Sequence, residues 1–178
     1  IPSRRQVEFD GGYSNNWTTK ELRKDAPGLI IKRDHAGPSQ GNYEDDGYKS
    51  LKEDCNYMDI IHIDPWKKYQ SYQDGLRWTI DMIEYCYKEN KKVKFEVGTE
   101  ESIRRFETYE LDNLMIDLEK KLSPNVYDNI KYLVVQSGTS LKENENTGEY
   151  EKSRLEEMIN ICKKNNVLSK EHNGDYIS

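Results

Sequence analysis

The chain contains three histidines, and each lies in or at the end of a segment that reads as a β-strand. His35 ends the segment KRDH, His62 lies within IIHIDPW, and His172 lies within SKEHNGDY. Neutral imidazole is the commonest protein ligand for a divalent transition metal, and imidazoles from several parallel strands can converge at one rim of a sheet. A single histidine is more often a hydrogen-bonded structural residue. Together they predict a metal site, with His35 and His172 as the better candidates because His62 lies deeper in its strand.

Carboxylates accompany these histidines at the predicted strand ends. Asp34 directly precedes His35 and could move a proton beside a metal-polarised carbonyl, although an aspartate here could also cap a loop. In KFEVGTEE, Glu96 and Glu100 could bind the metal or could be ordinary charges at a helix N-terminus. Glu96 is the more informative, because an acid inside a strand is costly to bury without a partner. We predict Asp34 and Glu100 as catalytic carboxylates and Glu96 as a metal ligand.

Two turns that follow predicted strands are suited to hold a phosphate group. QSGT follows the most apolar strand of the chain, and HNGD follows the last. Backbone amides of such turns can cradle a phosphate, although an Asn-Gly bend is also an ordinary turn. We predict that substrate or phosphate is bound by Lys32 and by the two turns, namely Gln136, Ser137, Gly138, Thr139, Asn173, Gly174 and Asp175.

The elements that must position these groups alternate between strand and helix. Apolar patterning predicts strands at 3–9, 29–35, 58–64, 93–98, 130–137 and 167–172, helices at 19–24, 44–55, 72–90, 101–122 and 151–164, and a polar loop through 146–148. About six strand–helix units at this spacing are typical of a parallel sheet in an α/β protein.

Two α/β architectures fit this rhythm, an open doubly wound sheet and an incomplete (β/α)8 barrel of the TIM type. No glycine-rich nucleotide motif follows a strand, and the chain begins and ends on predicted strands. Six units are also too few to close an eight-stranded barrel, which typically needs about 250 residues. We therefore predict one barrel domain over 1–178 that is truncated at both ends.

Composition narrows the range of partners and locations. The 178 residues carry a net charge of −6, which provides no basic surface for nucleic acid. Cys55, Cys86 and Cys162 are odd in number and lack CxxC spacing, so we expect buried thiols in a reducing compartment rather than disulfides. No apolar run is long enough to cross a bilayer and no signal peptide is visible. We predict a cytoplasmic protein that binds neither nucleic acid nor membrane.

Five short segments resemble a known family in their order and approximate spacing. They are RDHAGP at 33–38, IHID at 61–64, VGTE at 97–100, QSGT at 136–139 and EHNGDY at 171–176. They resemble the tagatose-bisphosphate aldolase accessory-subunit family, which is itself similar to the zinc-dependent class II sugar-phosphate aldolases. The segments IPSRRQ and EFDGGYSNNW match nothing in that family. The resemblance implies a (β/α)8 barrel in which His35 and His172 bind zinc and Asp34 moves a proton.

The leading hypothesis is an aldolase that uses Zn²⁺ or another divalent metal to cleave a phosphorylated ketose or a related sugar. Two alternatives stay open. Lys32, Lys94 or Lys170 could form a Schiff base with the substrate instead. Because the accessory subunits are regarded as stabilising a separate catalytic subunit, the chain could also be a non-catalytic barrel that binds a partner aldolase subunit. A homo-oligomer is a further option.

Overall fold

Helices and strands alternate along most of the chain. A computed structural model describes residues 1–10, 17–43, 46–142 and 145–173. The helices are α1 (Arg4–Glu8), α2 (Thr19–Asp25), α3 (Tyr48–Tyr57), α4 (Tyr72–Glu89), α5 (Thr108–Lys121), α6 (Pro124–Tyr127) and α7 (Lys152–Lys164). The strands are β1 (Lys32–Ala36), β2 (Ile60–Ile63), β3 (Lys94–Val97), β4 (Ile130–Val135), β5 (Thr139–Lys142), β6 (Glu145–Gly148) and β7 (Leu168–Glu171).

Five of these strands form one parallel sheet in the order β1-β2-β3-β4-β7. Parallel neighbours need crossover connections, and each connection here contains at least one helix. The order follows the chain without the reversal that defines a doubly wound sheet. β5 and β6 form a separate antiparallel hairpin. The described residues therefore form an α/β fold whose parallel sheet ends at β1 on one side and at β7 on the other.

One face of the sheet, which we call the helix face, carries the hydrophobic core. Ile61, Phe95 and Leu133 on the strands are fully buried and belong to one cluster with Met82 and Ile83 of α4. Apolar residues occupy every second position in β2 and β3 and recur at helical spacing in α4, so these elements turn their apolar sides toward one another. Burial of each such side chain stabilises the fold by about 1.5–3 kcal/mol.

The opposite face, which we call the open face, is partly uncovered. Leu168 of β7 is 62% exposed, and Ile30, just before β1, is 78% exposed. Together with Ile60 and Tyr132 they line a cavity of about 720 Å³ at the N-terminal ends of the strands. At the C-terminal ends the same face is instead filled by charged and polar groups, among them His62 and Glu96, which are both fully buried.

Three of the predicted helices lie where the sequence places them. The predictions at 19–24, 72–90 and 151–164 are confirmed as α2, α4 and α7. The start of α4 is fixed by Ser71, whose hydroxyl accepts a hydrogen bond from the backbone N–H of Asp74. Within the described parts of the chain, no helix combines the length and apolar character needed to cross a membrane.

The first predicted strand, at 3–9, is wrong, because this segment contains helix α1. Ser3 accepts a hydrogen bond from the backbone N–H of Gln6, and the Gln6 side chain accepts one from the backbone of Ser3. This capping box starts a helix and outweighs the apolar alternation of Val7 and Phe9. The sheet consequently has five parallel strands, and the estimate of six strand–helix units is one too high.

Two predictions in the second half of the chain differ markedly from the structure. The helix predicted at 101–122 begins only at Thr108, because Phe106 is buried and its backbone N–H donates to the Gln136 side chain instead of to a helix. The polar loop predicted through 146–148 belongs to the β5–β6 hairpin. Leu141 is the single apolar residue in the strand sequences TSLK and ENTG, so they lack the apolar alternation by which sequence reasoning detects a strand.

Candidate functional site

All three histidines meet at the C-terminal ends of the parallel strands. His35 lies at the end of β1, His62 lies in β2, and His172 follows β7. Their ring centroids are 5.0 to 5.2 Å apart. One potential ligand atom from each ring and one from Asp34 all lie within 4.8 Å of one another. We call this group of four residues the histidine cluster, and it confirms that distant strands bring these side chains to one place.

A bulge at the end of β1 allows two consecutive residues to reach the cluster. In a regular strand, Asp34 and His35 would point to opposite faces of the sheet. The pairing of β1 with β2 shifts register between Arg33 and Ala36, and His35 has a φ angle of +45°. A positive φ is unfavourable for a residue with a Cβ, and such backbone strain is concentrated at functional sites.

Two of the imidazoles are oriented by acceptors outside the cluster. His35 Nδ1 lies 2.7 Å from a carboxylate oxygen of Asp64, which is fully buried. His62 Nε2 lies 2.8 Å from the backbone carbonyl of Gly98. A carbonyl oxygen can only accept, so His62 carries hydrogen on Nε2, and its Nδ1, which faces Asp34, accepts a hydrogen bond from the backbone N–H of His35 at 3.3 Å.

The third imidazole is oriented by Glu96, which a lysine in turn holds in place. His172 Nε2 lies 2.8 Å from Glu96 Oε1, and Lys32 Nζ lies 2.7 Å from both oxygens of the same carboxylate. Burial opposes ionisation of Glu96, but the neighbouring imidazoles and Lys32 hold the pKa of its carboxyl well below the usual range. Glu96 is thus an ionised acceptor that lies beside the cluster and orients His172.

Asp34 lies at the centre of the three rings. Its carboxylate oxygens are 3.3 Å from His62 Nδ1, 3.8 Å from His35 Nε2 and 3.8 Å from His172 Nδ1. Burial alone would raise the pKa of Asp34, but the close His62 ring and the other two imidazoles lower it well below its usual range. Three ring nitrogens and a carboxylate oxygen facing one another form a donor set that fits a divalent cation.

The surroundings push the pKa values of two rings in opposite directions. Burial lowers the pKa of His172, so this ring is favoured in the neutral form that a metal requires. Burial also opposes the charge on His35, but the hydrogen bond to Asp64 and the nearby carboxylates raise its pKa to about 9. His35 therefore carries a proton that a metal ion would have to displace.

Glu100 lies at the edge of the cluster. Its Oε2 is 3.9 Å from His35 Nε2, and its other carboxylate oxygen accepts a hydrogen bond from the Ser102 hydroxyl. The Glu100 side chain is 22% exposed, so it can contact both the cluster and solvent. This position suits a group that exchanges protons with a bound ligand.

The predicted phosphate turn QSGT is engaged in contacts within the protein. Gln136 is buried, with its side-chain amide donating to the carbonyls of Thr99 and Arg104. The backbone N–H of Gly138 donates to the Glu101 carboxylate at 2.8 Å. Phosphate binding by this turn stays a prediction, and it would have to displace an acidic side chain.

The predicted turn HNGD is only partly described. Ser137 and Thr139 share a hydrogen bond between their hydroxyl groups, and the Thr139 hydroxyl donates to the backbone carbonyl of Asn173. These contacts join the QSGT turn to the segment after β7. Gly174 and Asp175 lie outside the described residues.

The three candidate lysines are not equivalent. Lys32 is paired with Glu96 and, at 3.2 Å, with Asp34; although burial opposes its charge, these carboxylates raise its pKa. Lys170 lies 3.7 Å from Glu96, and burial together with Lys32 lowers its pKa. Lys94 is the first residue of β3 and donates to the Asn129 side chain at the opposite end of the strands. Lys32 and Lys170 therefore adjoin the cluster, and Lys94 does not.

Sequence reasoning missed the two acceptors that orient His35 and His62. Asp64 stands two residues after His62 in the motif IHID, and Gly98 directly follows β3 in the motif VGTE. Period-two alternation predicts that Asp64 shares a face with His62, so this signal was present in the sequence. The backbone carbonyl of Gly98 carries no side-chain signal at all.

Comparison with known proteins identifies a shared fold but assigns no family. No family model matches the chain, and no curated protein matches it significantly. A solved structure that is similar is described as a probable tagatose 6 phosphate kinase from Sinorhizobium meliloti 1021. It matches with a TM-score of 0.71 at 14% identity over 97% of this chain and 51% of the other. The chain thus shares this fold and spans about half the length of that protein.

Proposed function

We propose that this chain carries the metal site of an aldolase, a carbon–carbon lyase that cleaves a phosphorylated ketose or a related sugar. The observation that carries the proposal is the convergence of three imidazoles and one carboxylate at the C-terminal ends of a parallel sheet. Enzymes with parallel sheets place their chemistry at this end of the strands. A set of nitrogen donors with one carboxylate suits Zn²⁺ or another divalent transition metal.

The residues of the site divide into holding and proton-transfer roles. His35, His62 and His172 would hold the ion, with Asp34 as a fourth donor. When bound there, a divalent ion supplies Lewis acidity toward the carbonyl group of the sugar. Glu100 is the candidate for moving the proton of the substrate hydroxyl, since it lies beside the cluster and remains partly exposed. Asp34 is the second candidate for this role.

The substrate class rests on charge and on the similar structure. Lys32 and Lys170 place two ammonium groups beside the cluster, and both residues line a cavity of about 370 Å³ together with Asp34. Ammonium groups at the mouth of a site favour an anionic substrate such as a sugar phosphate. The similar structure is that of a probable tagatose 6 phosphate kinase, a name that also points to a phosphorylated sugar.

Metal analysis and a retro-aldol assay test this proposal together. We expect the purified protein to hold about one divalent ion per chain and to cleave at least one member of a panel of phosphorylated ketoses. The substitution His35→Ala should abolish both properties. Lys94→Ala, at the opposite end of the same strands, is the matched control and should preserve them. Lyase activity that survives both His35→Ala and chelation would contradict the proposal.

We further propose that the sheet is part of a (β/α)8 barrel. Sequential parallel order and an open face with exposed Ile30 and Leu168 support this architecture, since a barrel covers that face with further strands. An experimental structure of the natural full-length protein tests it. Strands β1 and β7 should each pair with a further parallel strand, and a sheet that stays open would contradict the barrel.

A non-catalytic subunit is the second candidate function. The apolar part of the open face favours it, because an exposed apolar surface of this kind is suited to a partner protein. Co-purification with an aldolase subunit and the absence of bound metal would support it.

A Schiff-base aldolase using Lys170 would instead give a borohydride-trapped lysine adduct that is insensitive to chelators. Cytoplasmic location and a homo-oligomeric state stay predictions.

A further inference from the structure

We propose that Asp64 and Glu96 are positioning residues that, together with the Gly98 carbonyl, select which nitrogen of each imidazole faces the metal ion. This inference rests on the proposed metal site. It assigns Nε2 of His35 and Nδ1 of both His62 and His172 as the binding atoms. Each ring has two nitrogens, and the nitrogen that donates its hydrogen to an outside acceptor leaves the lone pair of the other one facing the cluster. On His62 a metal ion would replace the 3.3 Å hydrogen bond that Nδ1 accepts from the His35 backbone N–H.

Asp64 is held rigidly enough to orient His35. Its Oδ2 lies 2.7 Å from His35 Nδ1 and 3.4 Å from Gln40 Nε2, and its Oδ1 accepts from the backbone N–H of Trp66 at 3.2 Å. Asp64 directly follows β2 and is fully buried, so its carboxylate has little freedom to turn away from His35. A hydrogen on His35 Nδ1 satisfies this carboxylate and leaves Nε2 directed toward Asp34.

The orientation of His62 is built into the backbone. Gly98 has a φ angle of +98°, a conformation that residues with a Cβ rarely adopt, and an added Cβ would lie 3.3 Å from Val134 Cβ. This conformation places the Gly98 carbonyl 2.8 Å from His62 Nε2. The third ring, that of His172, is oriented by the Glu96 carboxylate, which Lys32 also binds.

The alternative tautomers would leave the cluster unable to bind a cation. A ring turned to its other tautomer would direct an N–H toward the centre and leave a buried acceptor without its hydrogen. When the outer carboxylate of a carboxylate–histidine–metal arrangement is removed, metal affinity typically falls by about 10-fold to 100-fold. Asp64 and Glu96 therefore act through the histidines and need not contact the metal themselves.

Nitrogen-15 NMR of the zinc-loaded protein tests the nitrogen assignment directly. The chain has only three histidines, so every imidazole signal can be assigned by single substitution. We expect Zn²⁺ on Nε2 of His35 and on Nδ1 of the other two rings, with hydrogen on the opposite nitrogens. Zinc on Nδ1 of His35 would overturn the role given to Asp64.

Zinc titration of variants tests whether Asp64 contributes to affinity. Asp64→Ala should weaken Zn²⁺ binding by about 10-fold to 100-fold, whereas Asp64→Asn, which keeps an acceptor oxygen, should weaken it less. Asp81→Asn changes an exposed carboxylate on α4 and should leave affinity unchanged. If wild type binds zinc and Asp64→Ala binds it equally well, the positioning role fails while the metal site stands. If wild type binds no zinc, both proposals fail.

Discussion

The helix face and the open face of the sheet are built from alternate residues of the same strands, yet they differ in chemistry. On β2 and β3 the helix face presents Ile61 and Phe95, while the open face presents His62 and Glu96, and all four are fully buried. Burial of the apolar pair stabilises the fold, whereas burial of the polar pair has a cost unless every donor and acceptor is matched. The difference supports a division in which the helix face maintains the structure, and it agrees with the proposal that the open face holds the functional site.

The largest effect is expected for a charged pair that is buried on the otherwise apolar helix face. Arg33 of β1 is fully buried there and pairs with Asp54 of α3 at 2.8 Å. The substitution Arg33→Met should lower the free energy of unfolding by about 3–5 kcal/mol, because it leaves the Asp54 carboxylate buried without its partner. Chemical denaturation measures this change. Adding Asp54→Leu should restore part of the loss, and a double variant less stable than the single one would contradict the explanation.

Two leucines, one on each face of the sheet, allow the two faces to be compared through the same substitution. Leu133 lies fully buried in β4 and Leu168 is 62% exposed in β7. We expect Leu133→Ala to lower the free energy of unfolding by about 2–5 kcal/mol and Leu168→Ala by less than about 0.5 kcal/mol. Urea titration of both variants measures the difference. Equal losses would show that the open face is covered in solution.

Metal removal should affect stability through the open face alone. A ligand present at about 100 times its dissociation constant stabilises the native state by about 2.7 kcal/mol. Addition of a chelator should therefore lower the melting temperature of wild type in buffer with excess zinc. The variant His62→Ala should show no such response, while Leu133→Ala should keep it. A chelator response of normal size in His62→Ala would place the metal elsewhere.

The smallest effect concerns an ion pair on the helix side and depends on pH. Burial opposes the charge of Glu110, but Arg104, 2.6 Å away, lowers its pKa below the ordinary value of 4.5. A carboxyl with a depressed folded-state pKa stabilises the protein above the unfolded pKa, and this contribution is lost as the pH falls through the folded value. Glu110→Gln should cost up to about 1 kcal/mol at pH 7. The difference in unfolding free energy between wild type and Glu110→Gln, measured by denaturation, should close below about pH 4.5. A difference that does not change with pH would contradict the ion pair as its cause.

The sequence predicts the periodic elements and the convergence of the histidines, but not the details that complete the site. α4 and α7 follow from apolar spacing, and β2 follows from a compact apolar run. The bulge at His35 could not be foreseen, because its positive φ depends on pairing with β2. The helix at α1 was missed because its capping box competes with an alternating pattern over only a few residues.

The sequence indicates which side chains could form the site, but it does not indicate which of their atoms lie close together. Glu96 Oε1 lies 2.8 Å from His172 Nε2 and 3.6 Å from His62 Nδ1, and metal binding by Glu96 stays a prediction. His62 was ranked below the other histidines, yet its Nδ1 is the ring nitrogen nearest to the Asp34 carboxylate among the three. Residue type indicates which side chains can bind a metal, whereas only the fold shows which atoms face one another.

X-ray absorption spectroscopy of the zinc-loaded protein is the most direct test of the central claim that the open face holds a metal site. Three histidine nitrogens at about 2.0–2.1 Å and one carboxylate oxygen at about 2.0–2.2 Å should surround the ion. His172→Ala should remove one nitrogen from this set. A zinc ion bound by sulfur, or a spectrum with no histidine signal, would contradict the account.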